Sequence, residues 1–235
     1  MLLSIFPHRG AALFAVLVLL PFWTHANEPE LVDIKSIDPT IVVDLRYASS
    51  RNIAGRPLYP RNMPALFRPS VASRLAYANR ELRPHGYRLK IWDAYRPRSA
   101  HEQLWQFAPT EEYVANPTTG GSLHTWGVAA DATLVDAKGR ELKMPTDFDD
   151  FTPAAWLKYS GTDLSVRRNL RILQSAMARS GFYGLRTEWW HFIAKNWTNY
   201  RAFDDRGMYS LAPPLVAPTA PPLRAERVHP GVRAR

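Results

Sequence analysis

Two stretches hold residues whose types and spacing can do chemistry together: Ser122 to Asp131, reading SLHTWGVAAD, and Glu188 to His191, reading EWWH. They contribute two histidines and two carboxylates. Zinc favours imidazole and carboxylate ligands, and a catalytic zinc keeps three protein ligands plus an open position for water. His124, Asp131 and His191 can supply the three ligands, which leaves Glu188 beside the metal as the base for a bound water. One zinc per chain and a hydrolytic reaction are the expectation.

Each residue also has a plainer reading. His124 can be a hydrogen-bonded loop or core histidine. Asp131 is harder to dismiss, because it lies inside the apolar run VAADATLV, where an unpaired carboxylate is costly to bury. A metal or an arginine would relieve that cost. Glu188 and His191 bracket two tryptophans, Trp189 and Trp190, which read as core or pocket wall. Their odd spacing puts Glu188 and His191 on opposite faces of an ideal strand. Both reach one metal only if the strand bends, bulges or ends there. Arg96 follows a strand and precedes Pro97, so its backbone is stiff. It is either a surface arginine or a fixed cationic donor for an oxyanion.

The surrounding chain has to position these groups. Ile41 to Tyr47 has the β-branched character of a strand, and Ser49 to Pro69 reads as a long loop. Ser70 is placed to cap a helix carrying Val71, Leu75, Ala78 and Leu82 on one stripe, stopped at Pro84 and Gly86. Tyr87 to Trp92 alternates as a strand, and Ser99 to Phe107 forms a short helix. Gly127 to Val135 is a buried strand on which Ala129, Asp131 and Thr133 share a face. A turn spans Asp136 to Arg140, and an acidic loop spans Pro145 to Pro153. Asp163 caps a helix to about Arg179, with Leu170, Leu173 and Met177 aligned and Gly181 as its stop. Thr187 to Ile193 is the closing strand. Helices and strands mix without regular βαβ alternation, which predicts an α+β single domain. Its sheet should be small, largely antiparallel and flanked by helices, with the zinc site on the sheet.

Composition narrows the setting. At 235 residues, 46% hydrophobic and 22% charged, the chain suits one sizeable core. Residues 1–26 read as a secretory signal: His8 and Arg9 precede an apolar run from Ala11 to Trp23, and Thr24-His25-Ala26 supplies a cleavage site. An uncleaved anchor is the alternative. The domain is expected over 27–211, and a Pro-, Ala- and Arg-rich disordered tail over 212–235. There is no cysteine, which excludes a disulfide framework and a Cys-ligated zinc. The net charge of +9 is partly gathered at Arg224, Arg227, Arg233 and Arg235 and is otherwise scattered. That pattern lacks the clustered basic face that phosphate tracking needs, so no nucleic-acid partner is expected.

The motif SxHxxGxAxD (Ser122, His124, Gly127, Ala129, Asp131) with ExWH (Glu188, Trp190, His191) resembles the M15 zinc peptidases of bacterial cell-wall metabolism. DLRYA at Asp44 to Ala48, DAYRP at Asp93 to Pro97 and MPTDFD at Met144 to Asp149 resemble the D-alanyl-D-alanine dipeptidases within that group. The likeness runs from about Val32 to Tyr200. It implies zinc on His124, Asp131 and His191, Glu188 as catalytic base and Arg96 on the scissile carbonyl. It also implies that Tyr47, Ser122 and Asp149 line a pocket for a small D,D-dipeptide, with Asp149 facing the substrate ammonium. Ala94 and Pro145 depart from the family, which often has glycine there. The rival expectations are a D,D-carboxypeptidase of the same zinc family and a non-catalytic module that binds cell-wall peptides. The leader adds export to the periplasm, no stable membrane insertion once it is cleaved, and a role in recycling or scavenging.

Overall fold

Long-range strand pairing gives this chain its frame. The structure, a computed structural model, describes residues 30–203. The signal expected over 1–26 and the tail expected over 212–235 lie outside the described residues. The first elements are short: β1 (Val32–Asp33), α1 (Ile34–Ile37), β2 (Val42–Val43) and β3 (Leu66–Phe67). Then come α2 (Pro69–Leu82), β4 (Tyr87–Asp93), α3 (Arg98–Phe107), β5 (Ala129–Asp136), α4 (Leu164–Arg179), β6 (Phe182–Leu185) and β7 (Glu188–Ala194). β1 and β3 form a two-stranded ribbon, and the main sheet has five strands in the order β2-β4-β5-β7-β6. Its β2–β4 pair is parallel and its other three pairs are antiparallel. The arrangement is α+β with a largely antiparallel sheet, as the element order predicts.

Helices α2 and α4 pack on each other and on the sheet. Ala130, Ala132 and Leu134 of β5 join the core. Strand alternation turns Ala129, Asp131 and Thr133 to the opposite face. α4 begins at the predicted cap, where the Asp163 carboxylate accepts the N–H groups of Ser165 and Val166.

Three local expectations change. Helix α2 starts at Pro69, whose fixed φ suits the first helical position, and Ser70 caps nothing. Its hydroxyl instead pairs with that of Tyr200 at 2.6 Å. The strand expected over 41–47 shrinks to Val42–Val43, because the chain turns into a 3-10 segment at Arg46–Ala48 that carries Tyr47 inward. β6 was not anticipated, and it turns the closing strand into a hairpin with β7.

Candidate metal centre and pocket

Register across three strands builds the centre. Asp131 on β5 stands opposite His191 on β7. On the other side of β5 the register slips between Ile91 and Asp93, so that Asp93 also stands opposite Asp131. A bulge of this kind re-aims side chains at the end of a strand pair. A second slip, between Gly184 and Leu185, brings Glu188 to the start of β7. It resolves the parity problem of EWWH: the Glu188 Oε2 atom lies 3.8 Å from His191 Nδ1. Trp189 and Trp190 between them are buried, and Trp190 forms pocket wall.

His124 arrives from a different element, the 3-10 turn Leu123–Trp126. Ser122 Oγ caps that turn by accepting the His124 N–H. Gly127 closes it at φ +69°, a left-handed backbone that strains any residue with a side chain. His124 Nδ1–H donates to the Ala94 carbonyl at 2.7 Å, which leaves Nε2 as the acceptor facing the centre.

Three atoms able to act as metal ligands therefore converge. His124 Nε2 lies 3.2 Å from His191 Nδ1 and 3.3 Å from Asp131 Oδ1, and His191 Nδ1 lies 2.9 Å from Asp131 Oδ1. Lone pairs aimed at one point in a buried site need a proton or a cation among them. Ligands about 2.0–2.1 Å from a tetrahedral zinc sit about 3.3 Å apart, so this triangle has the dimensions of a zinc face. The donor set fits that metal.

The catalytic candidates surround the triangle. Arg96 is buried and gripped by Asp93, whose Oδ2 accepts from Nε at 3.0 Å and Nη2 at 2.7 Å. Its guanidinium lies over the Tyr47 ring and within 4.0 Å of Asp131 Oδ2. Of the two readings left open for Arg96, the surface arginine is excluded. Burial pushes the Glu188 carboxyl well above the usual range, and repulsion from Asp131 and Asp149 adds to this.

Tyr47, Ser122 and Asp149 line the same pocket, a cavity of about 240 Å³ that also includes Arg96, Glu188 and the ligand triangle. Asp149 has φ +57°, the one positive φ at a non-glycine among the described residues. Its buried carboxylate accepts the Tyr47 O–H at 3.0 Å and the Ile53 N–H at 2.9 Å. Burial raises it to about 7, against the pull of those two donors and Arg96. A left-handed backbone aiming a raised carboxyl into a cavity marks a functional position.

Sequence reasoning missed three residues that support this set. Asp93 also accepts the Tyr59 O–H at 2.7 Å and lies 3.4 Å from His124 Nδ1. An acid ending the alternating strand YRLKIWD, on the heels of the apolar pair Ile91-Trp92, was a usable signal for it. His101 lies against Arg96, with Nδ1 3.4 Å from Nη1, and its Nε2–H donates to the Ala115 carbonyl. Burial and the nearby Arg96 lower His101 to about 3, so it stays neutral and can accept from the guanidinium. Tyr59 and His101 had no local signal.

Comparison with known proteins agrees with this geometry. A family profile described as D-ala-D-ala dipeptidase matches residues 27–206. The chain is 33% identical over 188 residues to the D-alanyl-D-alanine dipeptidase of Escherichia coli (strain K12), covering 80% of this chain and 96% of that protein. It is 29% identical over 175 residues to the enzyme of that name from Enterococcus faecalis, covering 63% of this chain and 83% of the other. The corresponding figures for the Enterococcus faecium enzyme are 27% over 176 residues, 65% and 85%. With a family match over most of its length and the motif residues gathered in one pocket, the chain belongs to the D-Ala-D-Ala dipeptidase family of M15 peptidases.

Proposed function

We propose that the protein hydrolyses D-alanyl-D-alanine to two D-alanines as a zinc-dependent dipeptidase. The observation that carries the reading is the meeting of the His124–Asp131–His191 triangle, Glu188, Arg96 and the buried Asp149 in one small cavity. Bound to the triangle, zinc would supply Lewis acidity for the scissile carbonyl, lower the pKa of an attacking water and favour the ionised form of Glu188 against the burial that raises it.

The chain's own residues do the rest. Glu188 takes a proton from the attacking water and passes it to the leaving amine as the C–N bond breaks. Arg96 cannot swing, because Asp93 holds two of its nitrogens, so it offers a fixed donor to the developing oxyanion. Asp149, which accepts the Tyr47 hydroxyl, receives the substrate ammonium. Apolar walls of Trp190, Leu104 and Ile193 lower the local dielectric, which strengthens each of these charge interactions.

The leader-like segment 1–26 supports an exported, periplasmic enzyme. An exported enzyme would not intercept cytoplasmic D-Ala-D-Ala before it enters wall precursors, so recycling or D-alanine scavenging is the role we assign. The direct test measures D-alanine release by the zinc-loaded protein from free and N-acylated D-Ala-D-Ala. Cleavage of the free dipeptide alone is expected. Cleavage of the acylated form would make it a carboxypeptidase, and inertness toward both would leave a peptide-binding module.

A further inference from the structure

Two loops frame the mouth of the pocket, and neither the metal nor the proton transfers account for how they meet. One loop, between α3 and the His124 turn, contributes Tyr113 to the lining, and the other contributes Asp149 and Phe151. Tyr113 and Phe151 stack with ring centroids 4.9 Å apart and planes inclined by 15°. The buried aromatic pairs Tyr47–Phe148 and Trp92–Trp189 are edge-on instead. Both stacked rings are only half-buried, so the pair lies at the border between cavity and solvent.

Tyr113 is the fixed member. On one side of it the Glu112 carbonyl accepts from Thr187 Oγ1 at 3.3 Å, next to Glu188. On the other side Val114 is buried and the Ala115 carbonyl accepts from His101 at 2.8 Å. Phe151 follows Asp149 by two residues. A substrate whose ammonium meets Asp149 therefore presents its amine end to the loop that Phe151 joins to Tyr113.

Resting on the dipeptidase reading, we propose that the Tyr113–Phe151 stack is a length-determining clasp that closes the pocket beyond the substrate's amine. A peptide continued past that amine has to part the two rings. The pair thus selects against longer D-alanyl peptides by obstruction, in addition to any loss of the contact with Asp149.

The test compares wild type, Tyr113→Ala, Phe151→Ala and Tyr113→Phe for D-alanine release from D-Ala-D-Ala and from tri-D-alanine. The ratio of kcat/KM for the tripeptide to that for the dipeptide is expected to rise about tenfold or more in either alanine variant. It should stay near the wild-type ratio in Tyr113→Phe, which keeps the stack. Phe151→Leu removes the ring but leaves an apolar side chain, so it gives the same reading if an alanine variant folds poorly. An unchanged ratio in the ring-deleted variants, with the dipeptide still cleaved, overturns the clasp and leaves the dipeptidase standing. A wild-type protein that leaves the dipeptide intact overturns the dipeptidase and the clasp together.

Discussion

The pocket wall that carries Asp131, His191 and Glu188, with Asp93 behind it, rests on paired strands, whereas the wall that carries Tyr113, Asp149 and Phe151 rests on loops. On the sheet, side-chain position follows from register, and ladder hydrogen bonds hold it. On the loops, position follows from a few contacts: a tyrosine hydroxyl, the Ile53 amide, two carbonyls and one aromatic stack. The division matches the two tasks. Bond breaking tolerates little displacement of its groups, while admission of substrate is decided by what the loops leave open.

Substitutions in the two walls should therefore fail in different ways. The largest effect is expected at Glu188: Glu188→Gln should lower kcat by about 10³-fold, within the range for a lost general acid–base. Metal analysis should still find one zinc per chain. Loss of the zinc as well would move Glu188 into the ligand set.

Next comes Asp93, which touches no substrate in this scheme. Asp93→Asn gives up the charge that holds Arg96 and should lower kcat by about 10²-fold with little change in KM. An equal rise in KM would mean that Arg96 binds the ground state as well.

The loop wall should give the smallest loss, and it should carry a pH signature. Asp149→Asn is expected to raise KM for the free dipeptide about tenfold while leaving kcat closer to wild type. The folded value of about 7 exceeds the value of about 3.9 for an unhindered aspartate. The unfolded chain thus releases this proton first. Its contribution to stability is full below about pH 4 and is lost as pH rises through about 7. Urea unfolding of the metal-free protein should show that decline, and Asp149→Asn should flatten it. A slope unchanged by the substitution would place the titrating group elsewhere, with Glu188 the first candidate.

The same division explains what could be read without the structure. The metal triangle was legible because His124, Asp131 and His191 are residues that apolar surroundings make costly unless something binds them. Helix α4 was legible from its cap and stripe. Glu188 posed a contradiction on an ideal strand, and the slip at Gly184 and Leu185 that removes it has no marker in the order of residues. Ser70 misled because a good capping residue sat beside a proline that already suited the helix start. Tyr59 and His101 stayed hidden because their partners, Asp93 and Arg96, are reached only through the fold. Local chemistry marks its own residues, and support that comes from a distance leaves no mark.

The two register slips have a consequence for how this site tolerates change. One sits at the end of β4, beside Asp93, and the other at the end of β6, three residues before Glu188. Removing a single residue at either slip would turn the following side chain to the other face of the sheet while leaving every residue type in place. The site is therefore written in the counting of the chain as much as in its spelling. A substitution at Trp92 or Leu185 would be felt as lost packing, whereas a single deletion there would move Asp93 or Glu188 out of the centre.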